Sequence, residues 1–160
     1  MNVLKVSMAA LVVCGGMAMA QSPAPTVVAP EPVGRVKTLT GTATISSPTS
    51  NPSQTVAAEV GTPLFLGSTI KTEKNASLGL TFKDGTVLSL GSDTRLTVDA
   101  FLFDPNQNQY QFGIHLGKGV LHYLSGAIAK ARPDGVSVKT PTAVIGVRGT
   151  HFVVKAEELP

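Results

Sequence analysis

From Ser77 onward the chain is written in short runs whose apolar residues fall at every second position. "SLGLTF" sets Leu78, Leu80 and Phe82 on one face, "TVLSLG" sets Leu88 and Leu90, and "TRLTVD" sets Leu96 and Val98. A period of two is the mark of a strand with one buried and one wet face. Turn formers separate the runs. Lys83-Asp84-Gly85-Thr86 is a hairpin signal, because Asp-Gly accepts the positive φ that a tight reversal demands. The same rule continues through Phe112/Ile114/Leu116, Leu121/Tyr123, Val136/Val138 and Phe152/Val154. Only "YLSGAIAKARP", Tyr123 to Pro133, can turn helically, and Gly126 and Pro133 keep it short. The expected fold class is all-β, with many short strands. Spacings of roughly eight to twelve residues fit a sandwich-like, barrel or β-solenoid-like arrangement equally. A loose similarity between "GSTIKTEKNASLGLTF" and "GTVLSLGSDTRLTV" tilts the choice modestly toward stacked coils.

The amino-terminal stretch obeys different rules. "MNVLKVSMAALVVCGGMAMAQ" has a lysine near its start, a short apolar run, and Ala18-Met19-Ala20 before Gln21. These are the elements of a secretory signal peptide, expected over residues 1–20 with cleavage after Ala20 and export to the periplasm or beyond. Acylation at Cys14 is disfavoured, since Val13 stands where a small residue is wanted. Cys14 is the sole cysteine, so its removal excludes disulfides, thiol nucleophiles and cysteine-bound metals. Residues 21–33 form a proline-rich linker, expected to be extended rather than packed. An all-β domain is expected over 34–155, with a short tail over 156–160. "SSPTSNPSQT", Ser46 to Thr55, reads as a polar surface loop between strands. No transmembrane helix is expected in the mature chain.

Charge selects no partner. The net charge is +3. From Gln111 to Lys155 six basic residues (Lys118, Lys130, Arg132, Lys139, Arg148, Lys155) face Asp134 alone, a balance read as solvated surface rather than as a positive patch. Nucleic acid is excluded for an exported chain.

The residues offer little reaction chemistry. Asp84, Asp93, Asp99 and Asp104 stand at turns or strand ends, where aspartate serves the local backbone. No serine has the strand–elbow–helix context of a nucleophile. His115 and His122 fall on successive expected strands and His151 on the closing one, short of a metal set that needs three ligands at fixed distances. "GIHLGKGV" and "GVRGT" run into strands, not helix N-termini, so neither cradles a phosphate. No catalytic residue, cofactor or metal is assigned.

The closing stretch, "TPTAVIGVRGTHFVV", is the most distinctive. Thr140 before Pro141 should be extended, and Pro141 should separate one strand from the next. Ala143-Val144-Ile145 reads as a short buried run, and Gly146 and Gly149 as positions where a side chain would crowd a bend. Arg148 should pin that bend by holding carbonyls or a carboxylate. Thr150, Phe152 and Val154 resume the alternation, with Phe152 as a core plug. On this reading Arg148→Ala lowers thermal stability more than Lys139→Ala.

"VGRVKTLTGTATI", "VGTPLFLGSTIKTEKNASLGLTFKDGTVLSLGSDTRLTV", "FGIHLGKGVLHYL" and "VSVKTPTAVIGVRGTHFVV" together resemble the FecR domain. Gly34, Val36, Gly41 and Ala43 match its opening; Gly67, Ile70, Thr72, Asp84, Gly85 and Thr86 its middle; Thr140, Pro141, Ala143, Val147, Arg148, Gly149, Thr150, Phe152 and Val154 its close. The resemblance implies a periplasmic domain of signalling proteins related to the iron-dicitrate sensor, whose outer portion contacts an outer-membrane transporter. Only that domain is expected to be shared, without the family's cytoplasmic segment and spanning helix. The expectation is a noncatalytic module that binds a protein or an envelope component, in cell-surface signalling. The alternative is a periplasmic small-ligand or metal-binding protein that uses the histidines and Arg148.

Overall fold

The computed structural model describes residues 30–48, 54–148 and 151–157. The signal peptide and most of the linker lie outside them. Strands take 58% of the described residues and helix 7%, so the protein is all-β. Twelve strands follow in order: β1 (Gly34–Thr40), β2 (Ala43–Ser47), β3 (Gln54–Ala57), β4 (Pro63–Leu64), β5 (Thr69–Thr72), β6 (Ser77–Phe82), β7 (Val87–Leu90), β8 (Arg95–Asp104), β9 (Gln109–Leu124), β10 (Val136–Lys139), β11 (Val144–Gly146) and β12 (His151–Ala156). A five-residue helix, α1 (Ala127–Ala131), and a 3₁₀ turn at Pro133–Gly135 fill the one stretch with helical character. Gly126 precedes α1 and Pro133 opens the 3₁₀ turn, so both residues limit the helix as their backbone preferences require.

The sixteen-residue β9 organises the rest. Its first half pairs antiparallel with β8 and parallel with β10, and its last residues pair antiparallel with β7 and β12. The changeover falls at Gly117–Gly119, where Gly119 has φ 100°. One sheet therefore runs β4-β1-β6-β7-β9-β12, and the other runs β3-β2-β5-β8-β9-β10-β11. The two runs share β9, so the strands make one curled, largely antiparallel sheet. The reversal at Asp84-Gly85 makes β6 and β7 antiparallel neighbours in register from Leu78↔Leu90 to Thr81↔Val87, unlike the parallel coils of a solenoid.

The two halves of the curled sheet close over one core, into which the alternating residues point. Leu78, Leu80, Phe82, Leu88, Leu90, Leu96, Val98, Ile114 and Leu116 are all buried in one core. Each such side chain contributes about 1.5–3 kcal/mol by leaving water. Rings join the layers. Phe112 of β9 meets Phe82 of β6 edge-on at 5.0 Å and lies 6.0 Å from Tyr123, which stacks on Phe152 at 4.8 Å. Two buried threonines hold the bend in β9. Thr94 N donates to Thr72 Oγ1 (2.9 Å), and Val120 N donates to Thr94 Oγ1 (3.1 Å).

Some expectations need correction. His115 and His122 lie on one strand, β9, because the run from Gln109 to Leu124 is not broken at its glycines. The polar stretch from Ser46 to Thr55 is partly strand, since Ser46 pairs with Thr55 and their hydroxyls lie 2.7 Å apart. Ala143-Val144-Ile145 is not a buried run. Val144 is 70% exposed, because among the described residues β11 pairs only with β10, at the margin of its sheet; the buried residue there is Val147.

Candidate functional site

The turn residues Asp84 and Gly85 belong to a buried polar node. Gly85 has φ 82°, as a tight reversal requires, and its N–H donates to Phe82 O at 3.0 Å. Asp84 is buried, and its carboxylate accepts from Thr86 N (3.1 Å), Thr86 Oγ1 (2.6 Å) and, at long range, Ile128 N (3.5 Å). Thr86 Oγ1 accepts from Gly126 N at 3.1 Å, and Asp84 O accepts from Ala127 N at 2.8 Å. The buried carboxylate is thus met by backbone N–H groups and a hydroxyl, and the hairpin is stitched to the first turn of α1. Gly126 is required here by close approach: a Cβ would stand 2.5 Å from Asp84 O and 2.8 Å from Asp84 Oδ2.

Tyr123 completes the node. Its ring is fully buried, and its hydroxyl lacks a hydrogen-bond partner among the described residues. Burial pushes its pKa up to about 12; the charge of Asp84 adds to this and the nearby Thr86 hydroxyl partly offsets it. The unfolded phenol ionises near 10, so the folded state holds its proton longer. Stability contributed by neutral Tyr123 is therefore complete below about pH 10 and is lost between about pH 10 and pH 12, by roughly 2–3 kcal/mol. Urea unfolding of the wild type and of Tyr123→Phe across this range should show an alkaline loss in the former that is much reduced in the latter. Tyr123→Phe should also keep or raise the neutral-pH melting temperature, since it removes an unsatisfied buried hydroxyl. A loss above about 1 kcal/mol would contradict this.

The closing stretch is built differently from its expectation. Thr140 and Pro141 lie in the turn between β10 and β11, where Thr140 N donates to Ala143 O (2.8 Å) and Ala143 N to Thr140 Oγ1 (3.0 Å). Pro141 does separate these strands. Gly146 is open rather than crowded, because a Cβ there meets nothing within 4 Å. Arg148 is 81% exposed, and Arg148 Nη2 donates to Asp134 Oδ1 at 3.2 Å. Lys139 has a comparable exposed pairing, 3.8 Å from Asp99 Oδ2. Exposed pairs of this kind contribute about 1 kcal/mol or less, so Arg148→Ala and Lys139→Ala should both shift thermal melting by only a few degrees, the Arg148 change by more. Gly149 and Thr150 lie outside the described residues. Phe152 is half-buried and stacks on Tyr123 at 4.8 Å. Of the six basic residues between Gln111 and Lys155, Lys118, Lys139, Arg148 and Lys155 each meet a carboxylate, of Asp93, Asp99, Asp134 and Glu157 respectively.

The open surface feature is a groove of about 540 Å³ on the outer face of the β7–β9–β12 sheet, lined by Val87, Ser89, His122, Tyr123, Leu124 and His151. Register places it. Ser89, His122 and Val153 stand side by side, and so do Val87, Leu124 and His151. His122 and His151 are thus diagonal neighbours on one face, whereas His115 pairs with Thr97 in the other sheet. Among the described residues no three His, Cys, Asp or Glu side chains converge as a metal set.

A family model described as FecR protein matches residues 68–159. The chain belongs to the FecR family. The match takes in the middle and close of the resemblance, from Ile70 to Val154, and leaves Gly34, Val36, Gly41, Ala43 and Gly67 outside it. FecR domains are regulatory, associated with periplasmic signalling and sensing. Comparison with curated proteins and with solved structures finds no match. No helix among the described residues is long and apolar enough to cross a membrane.

What the sequence reading missed was the node's second half. Asp84-Gly85-Thr86 was visible as a turn, but Tyr123 and Gly126 come to it from about forty residues further along. The outer-face groove had a faint signal: on β9 and β12 the positions meant for water hold His122, Leu124, His151 and Val153.

Proposed function

We propose that this FecR domain is a noncatalytic binding module that acts in the periplasm, after removal of residues 1–20, and recognises a protein or an envelope component in cell-surface signalling. The observation that carries this reading is the family match combined with an open, largely apolar groove on a sheet whose last strand, among the described residues, pairs on one side only. Exposed edges and grooves of this kind are filled in other proteins by added strands and surface-lying segments.

A second reading, a small-ligand or metal-binding protein, draws on His122 and His151 in one groove. It gathers two imidazoles where a protein-held metal needs three or four ligands, and Arg148 is occupied elsewhere by Asp134. Crosslinking and pull-down of the tagged protein from its own cell envelope tests the first reading. A reproducible transporter or sensor partner supports signalling, and recovery with cell-wall material alone moves the role to envelope structure. A protein that recovers neither but takes up a stoichiometric metal or small molecule would replace the first reading with the second.

A further inference from the structure

The two sheets differ in charge in a way the whole-chain balance conceals. No Asp or Glu lies on any strand of the β4-β1-β6-β7-β9-β12 sheet within the residues it contributes, 34–40, 63–64, 77–82, 87–90, 119–124 and 151–156. The same strands carry Arg35, Lys37, Lys155, His122 and His151. The strand-borne acids, Asp99 and Asp104, both belong to β8 of the other sheet.

Two rows of side chains cross the outer face in register. One runs Thr38, Gly79, Ser89, His122, Val153; the other runs Arg35, Thr81, Val87, Leu124, His151. The first is shallow because it holds Gly79 and Ser89. The second keeps Val87 half-buried and Leu124 47% exposed, beside Val153 at 53%. Apolar side chains left open between imidazoles are costly in water unless something covers them. Among the described residues β12 pairs only with β9, so its far edge presents backbone N–H and C=O groups next to this surface.

We infer that β12 and the outer face beside it take an extended partner strand whose side chains alternate between aliphatic and acidic. This rests on the binding-module reading. The strand would pair its backbone with the free edge of β12, adding one strand to the sheet. Its aliphatic side chains would cover Val153 and Leu124. Its carboxylates would accept hydrogen bonds from the ring N–H groups of His151 and His122 and compete with Glu157 for Lys155, which Glu157 holds at 2.9 Å from the end of β12; the strands of this face carry no acid of their own. A basic strand meets the cations of these strands and, at the end of β12, Glu157, which Lys155 already holds at 2.9 Å.

The test uses two capped synthetic octapeptides, one alternating valine with glutamate and one alternating valine with lysine. Each is titrated into isotopically labelled protein while backbone amide shifts are followed. The expected result is that the glutamate peptide shifts β12 and Leu124 and binds at least tenfold tighter than the lysine peptide. Val153→Asp should weaken it at least tenfold with melting temperature unchanged, while Val56→Asp, an exposed change on β3, should leave it unaltered. Equal binding of the two peptides, shifts confined to β3, or full affinity in Val153→Asp each overturns the inference. So does a wild-type dimer in sedimentation that Val153→Asp dissociates, which gives the face to a second copy. A soluble polyuronate that shifts β12 where the peptide does not overturns it in favour of an anionic polymer. The parent reading stands or falls apart from this: an envelope partner recovered equally with wild type and Val153→Asp keeps the binding module and moves its surface elsewhere.

Discussion

Gly126→Ala is expected to cost about 3 kcal/mol, a combination of overpacking at about 1–3 kcal/mol and hydrogen bonds worth about 1 kcal/mol each. The new methyl would stand 2.5 Å from Asp84 O and 2.8 Å from Asp84 Oδ2, against backbone and a buried carboxylate rather than the end of a flexible side chain. Relief requires the 125–128 segment to move away from the β6–β7 hairpin. That movement loosens the bonds from Gly126 N to Thr86 Oγ1 and from Ala127 N to Asp84 O. The partners left behind are buried, so their loss is not made good by water. Gly146→Ala provides the contrast, since its Cβ meets nothing within 4 Å, and it should stay within about 0.5 kcal/mol of wild type. Urea midpoints of the two variants, compared at equal slope, decide the matter. A Gly126→Ala loss below about 1 kcal/mol would show the node to be looser than its geometry says.

Phe112→Ala should cost still more, about 4 kcal/mol. The ring is wholly buried and touches rings from both layers, Phe82 and Tyr123 of one and Phe101 of the other, at 5.0–6.0 Å. Truncation leaves a cavity where β9 joins the two sheets. The layers cannot close over it without moving Phe82 and Tyr123, which are held by their own strands. Phe152→Ala removes a half-buried ring with one aromatic partner and should cost about half as much. For a domain with the usual total stability of about 5–15 kcal/mol, Phe112→Ala would lower the thermal midpoint by about ten degrees or more. Calorimetry on both variants reads this directly, and equal shifts would contradict the central place given to Phe112.

Much of the fold was legible because a strand's burial rule is local. Leu78, Leu80 and Phe82 point one way whatever the strand pairs with, and all three are buried. The hairpin at Asp84-Gly85 and the break at Pro141 were legible for the same reason, since both follow from backbone preferences of the residues themselves. Where the reading failed, the cause was pairing. Nothing in "AVIG" says that its strand has one neighbour, and that alone leaves Val144 exposed. Nothing in "HLGKGVLH" says that its glycines bend a strand without ending it, and this put His115 and His122 on one strand.

The site divides along the same line. Sequence by itself determined an all-β chain, its alternating core residues, its chief turn and the family to which it belongs, because each rests on residues close together in the chain. Tertiary structure alone decided that Asp84 is a buried hub rather than a surface turn residue, that Arg148 is exposed and tied to Asp134, and that the acids are absent from one sheet. Those facts depend on which strands become neighbours, and β9 sets that order through contacts between residues far apart in the chain.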